Sequence, residues 1–307
     1  MATAVASSGA GNPPQRTGQT LGKQALPMAF LFVFAVYFLA PLVWLVFSST
    51  KNESDFSTAF GFWFSGHPQF LTNVRAVLNV NDHVYLHWLF NTALYSVCSA
   101  IGATLFAAMA GYALAKFFFR GRELFFLVIL GSLMVPITAL ALPLFLIMTD
   151  INLGFTHISL INTYAAVILP SLVSPFGVYL MRIYTAGSVS DDLLNAARID
   201  GANEVSIFFR IVLRMTTPGL ITVLLFSFVG TWNNYFLPYV VLSDQNYYPL
   251  SVGLAYWNGL TNQPGISGVT YVQVITGALI SVIPLVLAFL TLQRYWNNSL
   301  TLNTSAG

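Results

Sequence analysis

The sequence predicts an all-α membrane protein with six transmembrane helices, and three observations predict it. Of the 307 residues, 56% are hydrophobic and only 7% are Asp, Glu, Lys or Arg. Soluble domains carry about 25% charged residues, and a soluble chain this greasy would be covered in exposed apolar patches. Six stretches of 24 to 29 residues then contain no charged residue at all: 26–49, 88–115, 124–149, 158–181, 215–243 and 269–293. Each exceeds the roughly 20 apolar residues a spanning helix needs. Finally, Lys and Arg alternate between the segments that join these stretches. With the N-terminus inside, ten fall on inner segments and only Lys51 and Arg75 on outer ones, the bias that orients membrane proteins. Both termini are expected in the cytoplasm.

The elements follow in order. Residues 1–25, "MATAVASSGAGNPPQRTGQTLGKQA", are small, polar and rich in Pro and Gly, and read as a disordered inner tail. The first span, 26–49, is too long for a signal-peptide core and is expected to stay as an uncleaved anchor. Residues 50–87 mix aromatic and polar side chains and are expected to pack a short helix on the outer surface. The next spans contain Pro136, Pro143, Pro170, Pro175, Pro238 and Pro284, and the first contains Pro41. In a bundle such prolines are tolerated as kinks, because neighbouring helices re-satisfy the freed carbonyls. Residues 243–268 form a second outer loop, and 295–307 an inner tail. No internal repeat is visible.

What the spans lack narrows the function. All ten acidic residues lie outside them, whereas ion-coupled carriers commonly hold Asp, Glu or His in the membrane. No G-x-x-x-x-G-K-[ST] sequence is present, so the chain has no phosphate-cradling P-loop. Energy for pumping would have to come from a partner. His67, His83, His87 and His157 show no metal-ligand spacing, and Cys98, the single cysteine, reads as a small packing residue within an apolar run. A net charge of +2 gives no nucleic-acid footprint.

One inner segment differs from all the rest. Residues 182–214 carry eight charges: Arg182, Asp191, Asp192, Arg198, Asp200, Glu204, Arg210 and Arg214. Ser190 is a candidate N-cap, with Asp191 and Asp192 at the positive end of the helix that follows. Leu193, Leu194, Ala196 and Ala197 line one side of it. Gly201 is placed to end it in a left-handed conformation. Asn203 could cap the next helix, on which Val205, Phe208, Phe209 and Val212 form an apolar stripe at i, i+3, i+4 and i+7. The small residues Ala196, Ala197, Gly201 and Ala202 would let another surface approach closely. From composition, this helix–Gly–helix elbow fits a docking site for a soluble subunit and a connector lying on the membrane surface equally well.

The stretch "DDLLNAARIDGANEVSIFFRIVLRMTTP" resembles the EAA loop of ABC-importer permeases. Ala196, Ala197, Asp200, Gly201, Ala202, Phe208 and Pro218 match that pattern in order and spacing; Asn195 stands where the family has Glu, and Arg214 where a proline is often found. The resemblance implies a type I ABC importer permease fold, with residues 182–214 as the coupling loop and 191–210 seated in a cleft of the ATP-hydrolysing subunit. The residues it assigns to that contact are Asn195, Ala196, Ala197, Asp200, Gly201, Ala202, Glu204 and Phe208. It covers about residues 87–294, the family's transmembrane domain. "NTALYSV" at 91–97, "AGYALAKFFFRGR" at 110–122, "VPITALALPLFLI" at 135–147, "TWNNYFLPYVVL" at 231–242 and "QRYW" at 293–296 look like carbohydrate permeases of the maltose-transporter type. The family's Gly-rich, Lys-containing tail is replaced by "NNSLTLNTSAG".

Asn amides and aromatic faces suit sugar hydroxyls and sugar C–H faces. Asn233 comes 15 residues after Pro218, about 22 Å along a helix at 1.5 Å per residue, in the outer half of its span. Trp232, Asn233, Asn234, Tyr235 and, near the outer start of span two, Asn91 are therefore candidate pathway residues. An interfacial aromatic belt and amides bonding neighbouring helices would explain the same residues. The resemblance implies a non-catalytic subunit of a bacterial-type cell membrane, without a cofactor of its own. Its implied partners are a second permease forming a heterodimer, two ATPase subunits holding ATP and Mg, an extracytoplasmic sugar-binding protein, the sugar and membrane lipid, with no nucleic acid. A permease for a non-sugar solute, an ion-coupled carrier and a purely structural anchor are the alternative readings.

Overall fold

The computed structural model describes residues 20–152, 154, 156–261 and 268–303, with side chains described between 26 and 291. Helix α1 runs Thr20–Ser49 and begins inside the segment expected to be tail; most of that tail, 1–19, lies outside the described residues. Pro27 and Pro41 sit within it. Apart from its last turn, where Ser48 and Ser49 are buried, the span 26–49 buries no residue inside the fold, as suits a helix whose solvent is lipid. Beyond it, the outer segment carries two short helices rather than one: α2, Glu53–Thr58, capped by Asn52, and α3, Phe70–Asn79. Asn73 of α3 donates to the Ser49 and Lys51 carbonyls, both at 2.8 Å, satisfying the end of α1.

The longest buried surface belongs to α4, Val84–Lys116. Half of its apolar window is buried, and its inward positions include Ala100, Ala103, Ala107, Ala108 and Gly111. Small residues let membrane helices approach closely. At Gly111 a Cβ would sit 2.6 Å from the Met181 side chain and 2.7 Å from the Arg182 nitrogen, so the two backbones touch there. Cys98, read as a packing residue, instead faces outward from α4.

Prolines break spans three to five where kinks were expected. Span three is α5, Arg122–Ser132, a 3-10 turn at Ile137–Leu140 opened by Pro136, and α6, Ala141–Thr149; the halves bend by 100°. After Ser132 the helix tightens into i→i+3 bonds from Leu133, Met134 and Val135, and it stops at Pro136, which is extended and has no N–H to give. Span four starts later than the apolar run suggested. A small antiparallel pair, β1 at Ile151–Asn152 and β2 at His157–Ile158, precedes it. Asn162 takes a positive φ of 57°, and Thr163 caps α7, Tyr164–Ser171. After Pro170, Ser174 and Pro175 restart the chain as α8, which continues to Ser188, past the expected end at 181.

The charged elbow contributes α9, Asp191–Ile199, α10, Glu204–Ile207, a π-helical turn at Phe208–Val212, and α11, Leu213–Met215. The chain then bends by 83° into α12, Thr217–Trp232, which carries Pro218 in its first turn, where its missing N–H costs nothing. Span five breaks at 233–235 and resumes as α13, Phe236–Val241. The segment expected to be a plain outer loop, 243–268, holds a buried helix, α14, Leu250–Thr261. Trp257 of α14 is fully buried against Trp88, with ring centroids 5.0 Å apart. The last helix, α15, runs Tyr271–Asn303 through Pro284 and into the expected inner tail; 304–307 lie outside the described residues.

Among the described residues, four helices are long and apolar enough to cross a membrane, and the number is six if each of two bent pairs is one span. The chain has the all-α, multi-pass membrane architecture that its sequence predicts. Two of its buried clusters lie at opposite ends of α4: one of Tyr112, Met181, Leu194, Ile207 and Phe208 beneath the elbow, and one of Tyr85, Trp88, Trp232, Leu250 and Trp257 at the other end.

Candidate functional site

The elbow is built from local rules. Ser190 accepts from the Leu193 N–H at 3.3 Å, and Asn203 from the Ser206 N–H at 2.8 Å; both are N-caps. Between them Gly201 takes φ +82°. Its N–H reaches the Arg198 carbonyl at 3.0 Å, and the Ala202 N–H reaches the Ala197 carbonyl at 2.9 Å. These are the two bonds of a Schellman turn, whose outer residue and third-last helical residue pack together. Ala197 and Ala202 hold those two places, which gives the Ala-Ala-x-x-Asp-Gly-Ala spacing a geometric cause.

Side chains then brace the turn. Arg198 donates to Glu204 at 2.8 Å across Gly201 and to the Asn195 side-chain oxygen at 3.1 Å. Asn195 thus acts within the elbow as a neutral acceptor for Arg198. That hydrogen bond from Arg198 holds the Glu204 carboxyl below the usual carboxylate range, against a partial burial that would raise it, and Tyr112 helps to lower it. The Tyr112 hydroxyl donates to the other Glu204 oxygen at 2.9 Å, and Lys116 donates to Asp191 at 2.7 Å. Both of these donors come from the end of α4.

Burial divides the expected docking residues. Asn195, Ala196, Asp200, Gly201 and Glu204 are exposed, and Ala197 and Ala202 half-buried. Phe208 is buried against Tyr112, ring centroids 5.9 Å apart, so it anchors the elbow instead of facing outward. The expected apolar stripe is also revised. Ile207, Phe208 and Val212 point inward, while Val205 and Phe209 are exposed; the π-helical turn at Phe208–Val212 adds a residue to one helical turn and shifts the register after Ile207. On α9, Leu194 is the buried residue, and Leu193 and Ala196 face out. Ile199, which the sequence reading passed over, is 86% exposed. The elbow therefore presents Leu193, Ile199 and Val205 beside polar Asn195 and Asp200, with small residues between them.

The candidate pathway residues separate as well. Asn91 is fully buried. Its amide donates to the Asn246 carbonyl at 2.8 Å and the Tyr248 carbonyl at 3.0 Å, and its oxygen accepts from Tyr164 at 3.1 Å. With both ends engaged, it is a clamp on the 245–250 segment and not a lining residue. Trp232 is buried beside Phe228. Asn234 accepts from the Leu237 N–H, and its carbonyl accepts from Ser251 at 2.8 Å. Asn233 and Tyr235 are exposed at the break between α12 and α13, where Tyr235 stacks on Tyr239 with centroids 5.2 Å apart. Irregular backbone at this depth is tolerated where it is buried in protein or lines a cavity.

Tyr112 and Lys116 were not legible as site residues: one looks like any aromatic in an apolar run, the other like a flanking positive charge. Their partners are 92 and 75 residues away.

Comparison with known proteins places the chain in a family. The chain is 34% identical over 280 residues to the arabinooligosaccharides transport system permease protein AraQ of Halalkalibacterium halodurans, covering 91% of this chain and 94% of the relative. It is 30% identical over 270 residues to the diacetylchitobiose uptake system permease protein NgcG of Streptomyces coelicolor, covering 88% and 85%. The fold matches a solved bacterial ABC transporter involved in the import of the acidic polysaccharide alginate, with a TM-score of 0.71, 24% identity, and 93% of this chain and 100% of that chain covered. Residues 100–301, which take in most of α4, the elbow and the broken fifth span, match the family model, so the chain belongs to the binding-protein-dependent transport system inner membrane component family.

Proposed function

We propose that this chain is one permease half of an ATP-driven sugar importer in a bacterial-type cell membrane. It pairs with a second permease and takes its energy from two ATPase subunits that hold ATP and Mg. A sugar-binding protein delivers the solute on the outer side. The elbow faces the cytoplasm, as the ten-to-two distribution of Lys and Arg favours, and both termini lie on that side. The chain itself carries out no hydrolysis and holds no cofactor.

One observation carries this reading: the elbow exposes Leu193, Ile199 and Val205 around a rigid, small-residue turn. Exposed apolar side chains rimmed by polar ones mark an interaction site. The EAA-type residues Asn195, Ala196, Asp200, Gly201 and Glu204 lie on the same surface. Sugar specificity is supported by relatives named for arabinooligosaccharides and diacetylchitobiose. Within this chain, Asn233 and Tyr235 at the helix break are the side chains we assign to the sugar path.

The reading is tested by reconstituting the two permeases in liposomes with the binding protein, with and without the ATPase. Uptake of a labelled arabinooligosaccharide or diacetylchitobiose should require the ATPase and internal ATP. Uptake that persists without the ATPase, or collapses with a proton uncoupler at constant ATP, would sink it.

A further inference from the structure

The elbow is joined through the chain to α8 on one side and to α11 and α12 on the other. Any displacement of it reaches those helices covalently. Helix α4 has no such connection, yet it lies between α8 and α12 and makes the most extensive packing in the fold. Non-covalent contacts alone link it to the elbow.

These contacts have a definite arrangement. Lys116 reaches Asp191, in the first turn of α9, and Tyr112 reaches Glu204, in the first turn of α10. One helix end thus holds the start of both arms of the elbow. The Arg198–Glu204 pair ties the arms together across Gly201, so the turn can move as one body. The grip itself is firm on the α4 side. The Lys116 side chain is 8% exposed, while its Asp191 partner is 77% exposed. Tyr112 is buried and packs on Phe208. Charge-assisted hydrogen bonds of this kind are stronger and more directional than neutral ones.

We propose that Tyr112 and Lys116 are positioning residues that pass the displacement of the elbow to α4, so that span two moves with the ATPase-docking surface. This rests on the permease reading above and adds the receiving side chains to it. Packing alone would move α4 only as far as side chains resist sliding; two anchored polar contacts fix its direction to both arms.

Cys98, the single cysteine, sits on the exposed face of α4, and a spin label there reports the motion of that helix. The experiment uses the full permease–ATPase complex in lipid, with partner cysteines replaced, and ATP–Mg trapped with vanadate as the probe. Wild type should show an ATP-dependent change in the label spectrum. In the Tyr112→Phe, Lys116→Gln double variant the change should fall about threefold to tenfold, the scale set by losing one or two hydrogen bonds, while ATPase co-purification holds and the thermal midpoint drops by no more than a few degrees. Lys116→Arg alone should keep the response, and exchanging the charges with Lys116→Asp and Asp191→Lys should recover part of it. A full response in the double variant overturns the inference, as does an unresponsive Cys98 in a wild-type complex that still hydrolyses ATP. Failure of the ATPase to bind the wild-type chain overturns the permease reading instead.

Discussion

Helix α4 holds a loop at each of its ends, and it holds them by different chemistry. At the elbow end the contacts are charged or to charged groups, and their partners are exposed: Lys116 with Asp191, Tyr112 with Glu204. At the opposite end the partners are backbone carbonyls of one short segment. Trp88 donates to the Gln245 carbonyl at 3.0 Å, Asn91 to those of Asn246 and Tyr248, and Tyr95 to that of Tyr247 at 2.8 Å. His87 lies 2.7 Å from the Asn246 carbonyl, and the Leu250 N–H donates to Thr92 at 2.7 Å. Backbone carbonyls cannot swing away as side chains can, and breaking such bonds in a buried place leaves unsatisfied groups. The difference separates a joint to backbone from a joint between side chains: one end clamps its loop to the fold, and the other ties α4 to a loop that is offered to something that moves.

If the clamped end is a fixed joint, damage there should cost stability first. Trp88→Ala removes a fully buried ring that touches Tyr248 and Trp257, and should cost about 3–5 kcal/mol. It should be the largest loss of thermal midpoint among these variants in detergent-solubilised protein. Asn91→Leu keeps the volume but orphans the Tyr248 carbonyl and the Tyr164 hydroxyl, while the Asn246 carbonyl keeps His87, at about 1–3 kcal/mol for an unsatisfied buried group. A midpoint unchanged by either substitution would break the comparison.

The elbow should behave in the opposite sense. Gly201 has φ +82°, and no atom lies within 4 Å of where a Cβ would sit. Gly201→Leu therefore meets backbone strain of about 1–2 kcal/mol but no clash within the chain. The isolated permease should fold with a modestly lower midpoint, while ATPase co-purification is lost, because the new side chain projects from the docking face. Normal ATPase-driven uptake in that variant would show that the turn does not face a partner.

The two ends were also unequally legible in the sequence. The elbow could be read because its cues are local: Ser190, Gly201 and Asn203 each act on backbone within three residues. Its buried face was misread because the π-helical turn changes the register after Ile207, and no local residue type announces that turn. The clamp was invisible. Asn91 looked like a pathway amide because nothing nearby in the sequence shows its partners, the two carbonyls more than 150 residues away and Tyr164 73 residues away. Helix α14 was taken as loop because its apolar residues are interrupted by Ser251, Gly253, Asn258 and Gly259. The all-α membrane class was legible, since absence of charge over 24 residues has few other causes. Span interiors did not, since a proline marks a kink or a break according to the packing around it.

The smallest expected effect is the most diagnostic of the contrast. Arg198 and Glu204 are each roughly two-fifths exposed, so removing their pair with Arg198→Ala should cost only about 0.2–1 kcal/mol, less in high salt. Its pH dependence has a definite sign. Glu204 is held below the ordinary carboxylate range by Arg198 first, with help from Tyr112. A depressed folded value means that the pair stabilises the elbow fully above the unfolded-state value and loses that contribution as pH falls through the folded one. The clamp at 245–250 uses bonds from Trp88, Asn91, Thr92 and Tyr95, none of which gains or loses a charge in acid, and from His87, whose Nε2 faces the Asn246 carbonyl as a donor and remains a donor when the ring is protonated. Hydrogen exchange followed from neutral to acidic pH, corrected for intrinsic rates, should therefore show residues 191–207 losing protection ahead of 245–250. In Arg198→Ala the elbow should be less protected already at neutral pH and should change less on acidification. Equal loss at both ends would mean that the elbow is held by its buried Phe208 and Leu194 alone and that its ion pairs are incidental.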